Sequence, residues 1–318
     1  MEERISHSPG LPLSSTVLQF RLVDLNCVGQ NSLPMIQTVT VRVPASTSNL
    51  GPGFDCLGIA LRLYNLIEVA RDSGAGAPSI IDEAARLFFK ETARRPFRFS
   101  FSSVGSIPRA RGLGSSATAR VGVLHALNRL AGDPLDRSGI FRLSAQLEGH
   151  PDNAAPATFG GFTVTSNDVV QKFAVSSRLR FVLLIPDFEV KTSSARKVLP
   201  GQIRLQSAIK NCANACAITA AFASGKYRDL SGTFADQFHQ PFRKKLLPFL
   251  PRVIAAAEKA GALGAFLSGS GSTIAAVTLE SPKAVARAML LAIGQREARI
   301  EILSADNQGA RVFPIGRR

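Results

Sequence analysis

Pro108-Arg-Ala-Arg-Gly-Leu-Gly-Ser-Ser-Ala117 opens directly into an apolar segment that continues to Leu130. Gly112 and Gly114 permit positive φ and close backbone approach, while Ser115 and Ser116 stand where helix caps stand. Successive N–H groups can then point at one anion, with the start of a helix beneath it. The spacing of Val121, Leu124, Leu127 and Ala131 predicts that helix over Ala117–Leu130, with Gly132 as its C-cap and Pro134 as a stop. A Walker loop requires Gly-x-x-x-x-Gly-Lys-Ser/Thr, and no such string occurs, so this is not a P-loop chain. Taken alone, a Gly/Ser turn before a helix is about as often an ordinary capped loop. The rest of the chain has to decide.

Upstream, Val39, Val41 and Val43 alternate with Thr38, Thr40 and Arg42, which predicts a half-buried strand that Pro44 ends. Leu57–Ala70 reads as a second strand region interrupted near Tyr64 and Asn65, followed by a Gly/Ala turn over Arg71–Ala77. A helix is expected over Ile80–Lys90, then a strand in which Phe97, Phe99 and Phe101 alternate with polar residues. Downstream come a helix at Ser138–Leu147, a loop at Glu148–Pro156 and a strand near Phe162–Thr165. The apolar run Leu179–Ile185 begins the second half, with helices at Ser207–Ser224, near Asp229–Gln237, at Pro251–Ala260 and at Pro282–Glu297. Strands at Ala265–Leu267 and Thr273–Val277 flank a glycine turn. The pattern is α+β in both halves. It suggests a disordered leader over residues 1–34, an N-terminal domain over 35–177 and a C-terminal domain over 178–318.

With 318 residues, 45% of them hydrophobic, the chain can bury a substantial core. No apolar run approaches the roughly 20 residues that span a bilayer, and no secretory leader is evident, so a cytoplasmic location and no membrane partner are expected. Lys and Arg number 38 against 23 Asp and Glu, a net charge of +15 that attracts anions. The basic residues are dispersed and lack interleaved aromatics, which argues against nucleic acid as the partner. Cys27, Cys56, Cys212 and Cys216 have no metal-site spacing, and buried free thiols are expected.

Three further constellations could carry chemistry. Ser46-Thr-Ser-Asn-Leu-Gly-Pro-Gly-Phe-Asp55 packs polar side chains and glycines into a loop after a strand, where Asn49 can donate and accept and Asp55 can meet a cation. Glu148-Gly-His-Pro-Asp-Asn-Ala-Ala-Pro156 gathers two carboxylates, an imidazole and an amide. Mg²⁺ takes oxygen ligands, and Glu148 with a hydroxyl of Ser115 or Ser116 would supply them. Ser268-Gly-Ser-Gly-Ser-Thr273 is a lean turn that another backbone can approach closely. Arg196 and Arg243 lie in separate loops, and two guanidinium forks on one carboxylate would be specific. Each motif alone also reads as an ordinary turn or solvated arginine.

Together these segments resemble the GHMP small-molecule kinases from about residue 38 to the C-terminus. The loop at 108–117 and the turn at 268–273 look like the superfamily's phosphate loop and C-terminal glycine motif. The segments at 46–55 and 149–156, with Phe238-His-Gln-Pro-Phe-Arg243, are similar to its homoserine kinase branch. Ser272 departs from a usual Pro, and Ala154 from a usual Val. The resemblance implies an N-terminal domain like ribosomal protein S5 domain 2, a ferredoxin-like C-terminal domain, Mg-ATP as phosphoryl donor, L-homoserine as acceptor, and is consistent with a homodimer. By the same resemblance Pro108, Arg109, Ala110, Arg111, Gly112, Leu113, Gly114, Ser115, Ser116, Ala117, Ser268, Gly269, Ser270 and Gly271 would surround the phosphates, and Asn65 would approach the nucleoside. Asn49 and Thr192 would sit near the transferring group, Asp55 would take the ammonium, and Arg196 and Arg243 the carboxylate. His150 and Asn153 would line the same pocket, and Ser116 and Glu148 would hold Mg²⁺. Asp152 is the formal general base, although the branch is read as lacking a committed one. The residues leave two alternatives open: another GHMP kinase acting on a different alcohol, or a basic RNA-binding protein on an S5-like fold.

Overall fold

A computed structural model describes residues 37–71, 77–313 and 316–317. The expected leader lies outside the described residues, as does most of the Arg71–Ala77 turn.

β1 (Gln37–Ser48) and β2 (Leu57–Arg71) form the antiparallel centre of the first sheet. Val39, Val41 and Val43 are fully buried, as their alternation requires. Pro44 does not end the strand. The register shifts between Pro44 and Ala45, so a bulge accommodates the residue that cannot donate, and the chain stays extended to Ser48. β2 likewise runs unbroken through Tyr64 and Asn65. Next come α1 (Ser79–Thr92), β3 (Phe99–Gly105), α2 (Ser115–Leu130), α3 (Arg137–Glu148), α4 (Ala154–Phe159), β4 (Phe162–Ser166) and β5 (Val169–Phe173). α4 occupies the end of the expected 148–156 loop, and β5 is a strand the pattern did not show. Ile81, Phe88, Val121, Leu124, Leu127 and Ile140 of α1–α3 pack on Val39, Val41, Val43, Ile67 and Val69 of the sheet.

The second sheet takes β6 (Arg180–Pro186), β7 (Gly264–Leu267), β8 (Ile274–Thr278) and β9 (Ala298–Leu303) in the order β7-β8-β6-β9, all antiparallel. Between β6 and β7 lie α5 (Thr192–Lys197), α6 (Leu205–Ser224), a 3-10 turn (Tyr227–Leu230), α7 (Gln240–Arg243) and α8 (Leu250–Lys259); α9 (Pro282–Ile293) precedes β9. The α-helix expected near Asp229–Gln237 is absent. Asp236 instead accepts the N–H groups of Phe238, His239 and Gln240, which starts α7. β10 (Arg311–Val312) and β11 (Gly316–Arg317) return to β1 and complete a first sheet ordered β10-β1-β2-β4-β5, with β3 also on β2 and β11 on β1.

α8 and α9 cover one face of the second sheet through Leu250, Val253, Val285 and Met289. From its other face Phe181, Leu183, Phe266 and Val277 join Leu50, Leu57, Ile59, Leu113 and Phe162 in one core, so the two sheets share an apolar seam. α6 buries Asn211, Ile218, Ala221 and Phe222 and presents Cys212 and Cys216 to solvent. These two thiols and that of Cys56 are free as expected but exposed rather than buried, Cys212 and Cys216 because they lie off that face, and Cys27 lies outside the described residues.

Candidate active site

Three polar loops interlock at one end of the seam. Ser46 N–H donates to Leu113 O at 3.2 Å, Gly269 N–H to Ser48 O at 3.2 Å, and Thr273 N–H to Arg111 O at 3.1 Å. Ser268 Oγ donates to Gly112 O at 2.6 Å. The glycines make this closeness feasible: with φ +73°, a Cβ on Gly112 would lie 2.1 Å from Ser268 O. Gly114, with φ +70°, is the N-cap of α2, and among the described residues no side chain caps that helix. Ser115 and Ser116 therefore occupy its first turn rather than its cap, and both line a cavity of about 500 Å³ at the helix end whose leading N–H groups have no partner within the helix.

Of the residues expected around phosphate, Arg109, Ala110, Arg111, Gly112, Gly114, Ser115, Ser116, Gly269 and Ser270 line that cavity. Pro108, Leu113, Ala117, Ser268 and Gly271 do not. Leu113, Ala117 and Ser268 are buried behind the wall, where Leu113 joins the shared core. Asn65 lines the cavity, and its Oδ1 accepts Ile107 N–H at 3.3 Å, anchoring the approach to the phosphate loop. Ile80, Ile81, Phe101 and Ile107 give this end an apolar wall that the motif reading missed. The sequence pattern places Ile80 and Ile81 on a helix and Phe101 on a strand without assigning any of them to a site.

At the cavity's other end Asp55 and Arg196 form a two-point ion pair, Nη2–Oδ1 at 2.8 Å and Nη1–Oδ2 at 3.0 Å. Asn49, Leu50 and Asp55 all have positive φ, a contorted path that brings Asp55 N–H onto Asn49 Oδ1 at 3.1 Å. Asn49 Nδ2 donates to Gly269 O at 3.0 Å, so this residue ties the first loop to the third. Arg243 is 2% exposed; it donates from Nε to Ala195 O at 3.2 Å and from Nη1 to Gly269 O at 2.8 Å. Burial first, then Arg196, pulls its pKa down to about 10. Thr192 Oγ1 lies 3.5 Å from Ser270 Oγ.

Asp152 is 2% exposed and its Oδ1 accepts from His150 Nδ1 at 2.8 Å and from Asn153 Nδ2 at 3.2 Å. Burial opposes charging of His150, but the Asp152 bond and charge outweigh it and hold the imidazole above its ordinary value. Asn153 spends its amide within the protein: Ser46 Oγ donates to its Oδ1 at 2.8 Å, and its Nδ2 reaches Ser48 Oγ at 3.0 Å. At the α2 end Ser116 Oγ donates to Glu148 Oε1 at 2.7 Å. Arg120 Nη1 meets the same oxygen at 2.7 Å, and its Nη2 reaches Glu83 at 3.0 Å. Arg120 had no motif to announce it, because an arginine inside a helix looks solvated until its partner is known. Among the described residues Oε2 of Glu148 has no partner.

The GHMP kinases N terminal domain matches residues 79–161, and the GHMP kinases C terminal domain matches residues 219–293. Homoserine kinase of Caldicellulosiruptor saccharolyticus is 38% identical over 87% of this chain and 97% of its own length. That of Moorella thermoacetica is 37% identical over 86% and 99%. The crystal structure of homoserine kinase from Cytophaga hutchinsonii superposes with a TM-score of 0.80 at 25% identity, covering 90% of this chain and all of that one. Mevalonate kinase of Methanococcus jannaschii, at 17% identity and a TM-score of 0.64 over 84% of this chain and 98% of its own, shares the fold.

Proposed function

The chain belongs to the homoserine kinases of the GHMP kinase superfamily, and from this premise we propose that its cleft moves the γ-phosphoryl group of ATP to the side-chain hydroxyl of L-homoserine, giving O-phospho-L-homoserine. One observation carries the choice of acceptor. A carboxylate, Asp55, and two guanidinium groups, Arg196 and Arg243, lie in the wall of the same cavity as the phosphate loop. An amino acid needs both signs of anchor. Mevalonate has no ammonium and would leave Asp55 unmatched once its carboxylate took Arg196, so a site that pairs both charges of its substrate favours the amino acid.

The phosphates of ATP lie against the N–H groups of the 109–114 loop and the first turn of α2, whose dipole favours negative charge there. The apolar wall at Ile80, Ile81, Phe101 and Ile107 takes the nucleoside beside Asn65. The oxygen-only pair Ser116 Oγ and Glu148 Oε2, both from residues of the cavity lining, would suit Mg²⁺, with Arg120 fixing Oε1. The ion would neutralise charge on the phosphates during transfer. Asp55 holds the substrate ammonium, and Arg196 and Arg243 hold its carboxylate. Asn49 and Thr192 guide the hydroxyl to the phosphorus. Phosphoryl transfer through a loose transition state needs positioning more than early deprotonation, so the hydroxyl proton leaves late and no committed base is required. Asp152, engaged by His150 and Asn153, orients that corner of the pocket.

The division at residue 178 belongs to this proposal, with the N-terminal part holding ATP and the C-terminal part supplying Arg196 and Arg243. A cytoplasmic homodimer belongs to it as well, and sedimentation reads the assembly directly. Among the described residues no helix is long and apolar enough to cross a membrane. The reading is tested by ADP release with Mg-ATP and each of L-homoserine, L-threonine, mevalonate and RNA. Only L-homoserine is expected to sustain turnover; turnover with mevalonate alone would overturn the assignment.

A further inference from the structure

Phe54 sits beside both guanidinium groups assigned to the substrate carboxylate. Arg196 Cζ lies 5.4 Å and Arg243 Cζ 5.3 Å from the centroid of its ring. His239 stacks on the same ring, with centroids 5.2 Å apart and planes 29° from parallel. His239 is itself fixed. It is fully buried, its Nε2 donates to Gly51 O at 2.9 Å, and its Nδ1 accepts from Arg243 Nη1 at 3.2 Å. One aromatic side chain from the first polar loop therefore touches both cations and the imidazole that braces one of them.

The arrangement answers an electrostatic problem. Two guanidinium groups brought to one pocket repel each other, and Arg243 has no carboxylate partner among the described residues. Among the described residues Asp55 pairs with Arg196 alone. A second acidic residue would settle Arg243, but it would also repel the incoming carboxylate and compete with it for the guanidinium. A ring carries no net charge, yet its face is electron-rich and attracts a cation more strongly where water is excluded. It can hold two like-charged groups side by side and leave their hydrogen-bonding edges available.

We propose that Phe54 is a positioning residue for carboxylate recognition: its π face holds Arg196 and Arg243 together, so that preference for an amino-acid acceptor over a carboxylate-free one depends on an aromatic ring at this position. This rests on the assignment of the two arginines to the substrate carboxylate. The shape of the loop alone would be met by any apolar side chain of similar size. The electrostatic role would not.

The test compares Phe54→Leu, Phe54→Tyr and Arg196→Met with the parent enzyme, using L-homoserine and 3-amino-1-propanol, which lacks only the carboxylate. Phe54→Leu is expected to raise KM for homoserine about tenfold, from two partly desolvated cation–π contacts. KM for ATP and kcat/KM for 3-amino-1-propanol should move less than about twofold, so selectivity falls about tenfold, and Phe54→Tyr should restore most of it. Equal losses with both acceptors and with ATP would mark Phe54 as mere packing and overturn the proposal, as would a Tyr variant no better than Leu. Arg196→Met separates the two layers of the argument. If it abolishes selectivity while Phe54→Leu does not, Phe54 alone is wrongly assigned; if it leaves selectivity intact, the arginine assignment fails and this proposal falls with it.

Discussion

Arg196 and Asp55 meet across the cleft through two parallel hydrogen bonds of 2.8 and 3.0 Å, although they are the anchors assigned to opposite ends of one zwitterion. Their side chains are 38% and 32% exposed, so the pair is open to water rather than sealed in the core. A pair of that kind contributes little net stability and is cheap to open. Homoserine then enters by exchange: its ammonium takes Asp55 as its carboxylate takes Arg196. Charge is matched before and after, and the fork geometry already present suits the incoming carboxylate.

Exchange predicts coupling between the two residues. Asp55→Asn and Arg196→Met should each raise KM for homoserine by about 100-fold, the loss of one charge-assisted contact plus an unmatched partner. The double variant should lose much less than the product of the two, because the residues touch. A double-mutant cycle on kcat/KM reads this; strictly multiplicative effects would contradict exchange.

Gly112→Ala should separate the two glycine loops. The added Cβ would fall 2.1 Å from Ser268 O, a backbone atom that cannot swing away, at a φ of +73° that penalises any side chain. KM for ATP should rise at least tenfold with a lowered melting temperature, on the order of 2 kcal/mol of strain and lost packing. Nucleotide titration and thermal unfolding check both.

Two buried histidines should make the fold sensitive to acid. Burial holds His125 and His239 near pKa 4, below the ordinary 6.5. A depressed histidine is neutral in the folded state while the unfolded chain takes up a proton. Its contribution is therefore fully present above about pH 6.5 and is lost as pH falls towards 4, by about 1.4 kcal/mol per pH unit for each group. Urea midpoints from pH 7.5 down to 5 should decline accordingly. His125→Gln should flatten the slope by roughly half; an unchanged slope would show that the carboxylates dominate.

Glu148→Gln should raise the Mg²⁺ concentration needed for half-maximal rate by at least tenfold, because a neutral amide is a poor ligand for a hard dication. Arg120→Met should produce a smaller rise by freeing the carboxylate that it aims. Magnesium titrations at fixed ATP distinguish these from a loss of nucleotide affinity.

The glycine-rich loops were legible because glycine and small polar residues at fixed spacing have few other uses. Asp55, Arg196 and Arg243 were legible one by one as charged groups that could meet a zwitterion, but only the resemblance joined them, since nothing in their local spacing brings residues 55, 196 and 243 to one cavity. Phe54, His239 and Arg120 were missed for the converse reason. An aromatic residue in a glycine loop reads as packing, and an arginine in a helix reads as solvated, until the distant partner is seen. Pro44 misled because a strand can absorb a missing donor in a bulge. The pairing of residues 311–312 with β1 is non-local and carries no sequence period. Pro108, Leu113 and Ala117 belong to the phosphate motif as a string, but the helix and loop geometry turns them away from the cavity.

The central claim is phosphoryl transfer to the homoserine hydroxyl, and ³¹P NMR of the enzyme with Mg-ATP and L-homoserine tests it most directly. The account predicts a phosphomonoester resonance that couples to the substrate's terminal methylene protons and grows in step with ADP. Growth of inorganic phosphate with ADP, and no phosphomonoester, would contradict it.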